Sequence, residues 1–179
     1  TITQTDRFAA ALVERAVTNW YSFVGTSDMN HYFGTHWFRD LPWRETADYL
    51  ARSPLQHVEN VHTPALVIHS TDDYRTALDQ GLQFYTALKM QGKPAQLAVF
   101  PESSHGLSRD GRPSQRVRRL EVILDWFGRY APGCGRYREL AVRFLGRSPR
   151  RVGGQCRVFL PTERSAIPRP LLAPRVRAG

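Results

Sequence analysis

The chain has 179 residues and a net charge of +9, with 41% hydrophobic residues and two cysteines. The charge is unevenly placed: residues 1–130 carry 14 basic and 14 acidic side chains, and residues 131–179 carry 11 arginines, no lysine and two acids. A neutral, cysteine-free body of that length can bury one core. It argues against a disulfide-stapled secreted domain, and no apolar run is long enough to cross a bilayer.

Cys134, Cys156 and six of the twelve prolines fall in the basic segment, so composition sets a domain boundary near residue 130. The chain opens on Thr1-Ile2-Thr3, without a basic n-region or an apolar h-region, and an intracellular, cytoplasmic setting is expected.

In chain order, Phe8 to Val13 is a short apolar run that reads as a first strand, although its alanines also suit a helix. Asn19 to Tyr32 is aromatic, with Gly25 and Ser27 as breakers, and predicts a short helix and a loop. Pro42 to Leu50 predicts a helix, with Pro in its first turn and Trp43, Ala47 and Leu50 helically spaced. Ser53-Pro54 starts a further short turn or helix that runs to Val58.

Pro64 opens the next element, where Ala65-Leu66-Val67-Ile68 reads as a strand buried on both faces of a parallel sheet. A polar turn with Ser70, Thr71, Asp72 and Asp73 follows. Ala77 to Met90 carries Leu78, Leu82, Phe84, Tyr85 and Leu88 on a helical period, and Gln91-Gly92 closes it. Leu97 to Phe100 is a third strand, leading into the loop Pro101-Glu102-Ser103-Ser104-His105-Gly106. Ser114 to Tyr130 predicts a helix with the stripe Val117, Leu120, Ile123, Leu124 and Phe127.

The result is an α/β arrangement of about three parallel strands with flanking helices. Beyond Tyr130, Arg138 to Leu145 suits a weak amphipathic turn or two. The rest shows no sustained period, and residues 131–179 are expected to be disordered.

Acidic residues after one strand and a histidine after the next lie where open α/β sheets place their chemistry. His105 with either Asp72 or Asp73 could supply a base and the anion that orients it. The plainer alternative is a loop histidine, with the two acids capping the following helix. Serines 27, 103 and 104 are weak candidates for a nucleophile, because none sits on a strand-to-helix elbow. His31 and His36 have no partner at ligand spacing, so no metal is expected.

Particular runs of residues narrow this reading. Thr63-Pro64-Ala65-Leu66-Val67-Ile68-His69 followed by Asp73-Tyr74-Arg75 resembles the D-x-R acid segment of the prolyl oligopeptidase family of serine peptidases. Glu102 to Pro113 resembles that family's histidine loop. Thr5 to Phe8 and Glu14 to Asp28 resemble its acylaminoacyl-peptidase branch.

The resemblance runs from about Thr5 to Tyr130 and implies part of an α/β-hydrolase fold, with Asp73 as triad acid and His105 as triad base. It implies a peptide substrate, an acyl-side pocket near Trp20, Tyr21 and Phe23, and a substrate or carboxylate contact for Arg75. No cofactor is implied.

Ser70 stands where the family usually has Gly, and Ala77 where it usually has Pro. The family's G-x-S-x-G elbow precedes the segment matched by Thr5 to Phe8, so a fragment with acid and base but no nucleophile, inactive alone, is expected. The basic segment then reads as an out-of-frame or readthrough extension. An unpaired leading strand predicts self-association.

Two other readings compete. One is a small basic protein binding nucleic acid or an anionic surface through its arginines; against it, that segment lacks interleaved aromatics and any nucleic-acid-binding motif. The other is an intact small α/β esterase with an unconventional serine.

Overall fold

The structure, a computed structural model, describes residues 1–131. The expectations for residues 132–179, including the turn at Arg138 to Leu145, lie outside the described residues.

Three parallel strands form one sheet in the order β1 (Ala11–Glu14), β2 (Ala65–Ser70), β3 (Ala95–Phe100). The register pairs Ala11 with Ala65 and Ser70 with Phe100. Every residue of β2 is buried, the apolar run Ala65 to Ile68 and the polar His69 and Ser70 alike, as its central position in the sheet requires. Between β1 and β2 lie α1 (Trp20–Thr26), α2 (Asn30–Trp37), α3 (Thr46–Ala51) and a 3₁₀ segment (Pro54–Asn60); α4 (Leu78–Met90) connects β2 to β3. The short α5 (Leu107–Asp110) and the long α6 (Pro113–Tyr130) follow.

Each sheet face has its own core. Ala65, Val67 and Leu97 pack with Val58, Val61, Phe84 and Leu88 from the 3₁₀ segment and α4. Leu66, Ile68, Ala98 and Phe100 pack on the opposite face with Leu107, Val122 and Trp126. Leu66 is fully buried, and Leu66→Ala would cost about 3 kcal/mol through lost transfer energy and a residual cavity. A third cluster joins Trp20, Val24, Phe38 and Tyr49, with Phe38 and Tyr49 stacked at 3.7 Å. Burial raises the Tyr49 phenol above its ordinary pKa, and its hydroxyl donates to the Asp40 carbonyl.

Several boundaries differ from expectation. The first strand begins at Ala11, where its N–H bonds the Pro64 carbonyl and it pairs with Ala65, the first residue of β2; Phe8 is left exposed. The aromatic stretch forms two helices, split where Ser27 turns to bond the neighbouring loop. The expected Pro42–Leu50 helix starts only at Thr46, since Leu41 to Glu45 form a turn that leaves Trp43 64% exposed.

Two helices are rotated from their expected phase. In α4 the buried residues are Gln80, Gly81, Phe84 and Leu88, and Leu82 faces outward. In α6 Val122 and Trp126 face the sheet, while Val117 (42%) and Leu120 (45%) are exposed. Both helices carry more than one apolar stripe, and contact with the sheet selects between them.

Candidate active site

The site forms where β2 and β3 end. Beyond Ser70, Thr71 N–H bonds the Phe100 carbonyl, Asp72 N–H bonds the Ser103 carbonyl, and Glu102 N–H bonds the Thr71 hydroxyl. These bonds zip the two strand-end loops together and bring residues 73 and 105 into contact. The two acids differ in burial. Asp72 is exposed and accepts from the Thr71 hydroxyl, whereas the Asp73 side chain is fully buried.

The Asp73 carboxylate is held from three directions. Its Oδ1 accepts from the backbone N–H groups of Arg75 (3.0 Å) and Thr76 (2.9 Å). The Thr76 hydroxyl lies 3.1 Å from Oδ2. His105 Nδ1 lies 2.9 Å from Oδ2 and 3.1 Å from Oδ1. A carboxylate only accepts, so Nδ1 donates in this pairing. The His105 side chain is about one-third exposed, and among the described residues Nε2 makes no hydrogen bond.

His105 is also fixed through its backbone. Arg15, just past β1, donates from Nη1 to the His105 carbonyl at 2.7 Å. Its own N–H bonds Ile68 and its carbonyl faces the Thr76 hydroxyl at 3.3 Å, so Arg15 touches both strand-end loops. Arg15 occupies the left-handed region at φ 52°. Below the loop, the exposed Asp110 carboxylate packs where a Cβ on residue 106 would stand.

Other sequence candidates have defined places. Ser27 is buried and donates to the Arg75 carbonyl at 2.8 Å; Ser103 is buried against Gln115 and the Pro101 carbonyl; the Ser104 hydroxyl accepts from Gly106 N–H. Among the described residues, no serine hydroxyl is hydrogen-bonded to the His105 ring. Arg75 grips Asp28 through both guanidinium and carboxylate atoms, Nε to Oδ1 at 2.6 Å and Nη2 to Oδ2 at 3.3 Å. That pairing holds the Asp28 carboxyl below its ordinary pKa and raises that of Arg75. Trp20 is half-buried, edge-on to Phe23, Trp37 and Phe38. His36 stacks on Tyr32 and lies 2.8 Å from its carbonyl.

Sequence reasoning did not single out Arg15, Thr76 or the buried His69. Arg15 and His69 lie at the C-terminal ends of strands beside the acid turn, where the general rule for open α/β sheets could have found them.

The sequence profile of the Prolyl oligopeptidase family matches residues 1–133. An uncharacterized peptidase of Bacillus subtilis, YuxL, is 41% identical over 127 residues, covering 71% of this chain and 19% of its own length. The acylamino-acid-releasing enzyme of Arabidopsis thaliana is 30% identical over 132 residues, covering 70% of this chain and 17% of its own. The structure of Pyrococcus horikoshii acylaminoacyl peptidase superimposes with a TM-score of 0.70 at 37% identity, over 73% of this chain and 21% of that one.

The sheet with its flanking helices is therefore part of an α/β-hydrolase fold. This chain belongs to the prolyl oligopeptidase family, a family of serine peptidases. It spans about a fifth of the length of these relatives. Among the described residues, no helix is long and apolar enough to cross a membrane.

Proposed function

We propose that the chain supplies the acid and base of a serine peptidase active site, and that the nucleophile must come from another segment. The observation that carries this is the pairing of His105 Nδ1 with the buried Asp73 carboxylate at 2.9 Å, at the ends of adjacent parallel strands. No G-x-S-x-G occurs in the sequence, and the candidate serines are engaged elsewhere.

With a serine placed at His105 Nε2, that nitrogen would take the hydroxyl proton as the oxygen attacks a peptide carbonyl. It would then return the proton to the leaving amine. Asp73 would hold the tautomer and stabilise the imidazolium. The acylaminoacyl-peptidase relatives favour peptides or N-acylated peptides as the substrate class.

Trp20 is our candidate for the acyl-side wall, supported by its half-buried place in the aromatic cluster. The Asp28 pairing favours a loop-buttressing role for Arg75 over a direct substrate contact. A cytoplasmic setting fits a body without cysteine.

A binding role through the arginine-rich segment rests on residues beyond the family match, which ends at 133. An apolar edge remains: β1 pairs on one side with β2, and α6 exposes Val117 and Leu120. Both are suited to the rest of a larger domain, or to a second copy of the chain.

Fluorophosphonate labelling tests the proposal. The chain alone should remain unlabelled. A mixture with an upstream half-domain carrying G-x-S-x-G should be labelled on that serine, and His105→Ala or Asp73→Ala in this chain should abolish it. Labelling of the chain alone that vanishes in both variants would replace the proposal with an intact small esterase.

A further inference from the structure

His69 is a titratable side chain inside β2 that the acid–base pair does not use, and it is 1% exposed. Its Nε2 lies 2.6 Å from the Thr76 carbonyl. A carbonyl only accepts, so this nitrogen carries the proton and the ring is an Nε2–H donor. The same nitrogen stands 3.8 Å from Asp73 Oδ2, with the positive end of its N–H dipole near the carboxylate.

Thr76 is the residue whose N–H and hydroxyl hold Asp73. The chain of contacts therefore runs from His69 to the Thr76 carbonyl, from Thr76 to Asp73, and from Asp73 to His105. The other side of the ring is fitted closely: a Cβ on residue 81 would lie 2.7 Å from His69 Nδ1. Gly81 is thus what lets α4 approach the ring and hold it in place.

We propose that His69 is a positioning residue for the Asp73–His105 pair, its Nε2–H closing the turn that presents the Asp73 carboxylate. A core histidine that only filled space would not need a donor aimed at the carbonyl of the residue whose N–H and hydroxyl hold Asp73. Removing the donor frees Thr76 to rotate, and Asp73 then loses the geometry that selects one tautomer of His105. This rests on reading Asp73 and His105 as the acid–base pair.

The test reads ring tautomers, not hydrolysis, so the two ideas fail separately. In the full chain labelled with ¹⁵N-histidine, long-range ¹H–¹⁵N spectra should show His69 as the Nε2–H form and His105 as the Nδ1–H form. His69→Leu should shift His105 to the Nε2–H-rich mixture of an unconstrained imidazole. His69→Gln, which keeps an N–H donor, should preserve the Nδ1–H form, and Gly81→Ala should act in the direction of His69→Leu.

An unchanged His105 signature in a folded His69→Leu chain overturns the proposal. So does a native His69 in the Nδ1–H form, which needs no variant to fold. A native His105 lacking Nδ1–H would instead remove the acid–base pair, and the proposal with it.

Discussion

Arg15 donates to the backbone carbonyl of His105 at 2.7 Å, joining residues 90 positions apart in sequence. The bond tethers the histidine loop to the end of β1. A charged donor to a part-buried carbonyl is worth about 2 kcal/mol. Arg15→Ala should therefore loosen the loop and slow fluorophosphonate labelling of a complemented enzyme by roughly 10-fold. Arg15→Lys should recover part of the rate. Unchanged labelling in Arg15→Ala would show that the tether is dispensable.

Asp73→Asn keeps a side chain of the same size, and its amide oxygen can still accept from the Arg75 and Thr76 amides. It cannot favour the imidazolium or select the Nδ1–H tautomer as a carboxylate does. The complemented activity should fall on the order of 10³–10⁴-fold while the circular dichroism spectrum stays unchanged. A fall below 10-fold would assign the acid role elsewhere.

Ser70 is fully buried, and among the described residues its hydroxyl has no hydrogen-bond partner. An orphaned buried hydroxyl costs about 1 kcal/mol or more. Ser70→Ala removes the oxygen and keeps the Cβ, so it should raise stability by about 1 kcal/mol in urea unfolding, with an unchanged m-value. A destabilised variant would mean that the hydroxyl has an ordered partner.

Arg75 lowers the Asp28 carboxyl pKa below its ordinary 3.8 through their hydrogen bond. A carboxyl depressed in the folded state contributes stability that is complete above its unfolded pKa and lost as the pH falls through the folded one. Because the Asp28 and Arg75 side chains are 45% and 43% exposed, the contribution is at most about 0.5 kcal/mol. Asp28→Asn should be slightly less stable than the native chain at pH 7, and the difference should shrink as the pH falls below 3.8 and through the depressed folded value. A difference that persists at lower pH would separate the effect from this carboxylate.

Among the described residues β1 pairs only with β2, and this edge with the apolar face of α6 predicts self-association of the isolated chain. Val117 and Leu120 are both exposed on α6, so Val117→Lys with Leu120→Glu should shift light scattering toward monomer while leaving the sheet-facing Val122 and Trp126 intact. A native chain that is already monomeric at working concentration would count against the prediction.

The central strand and the meeting of Asp73 with His105 were legible because Ala65 to Ile68 is uniformly apolar and the D-x-R and histidine-loop segments are local patterns. Helix phase was harder to read. Val117 and Leu120 fit a helical period as well as Val122 and Trp126 do, and only the sheet decides which stripe is covered. Gln80 looks like a solvent-facing residue and is fully buried, because its partners Thr18 and Asn19 lie more than 60 positions away. Arg15 reads as a surface charge until β3 brings His105 beside it. Long-range polar partners leave no periodic signature, which is why the groups that hold Asp73 and His105 were missed while the meeting of those two side chains was anticipated.

Gln80 carries a consequence for the chain's motions. Its side-chain carbonyl accepts from the Thr18 and Asn19 amides, its side-chain amide bonds Ser22 and Asp79, and its backbone carbonyl accepts from the Thr18 hydroxyl. One glutamine thus acts as a short surrogate strand for the loop entering α1. In deuterium exchange, the amides of Thr18 and Asn19 should be protected together with the centre of α4 and open only when that helix does. The approach to the aromatic cluster would then behave as part of the same cooperative unit as the sheet, although it contains no ladder hydrogen bonds.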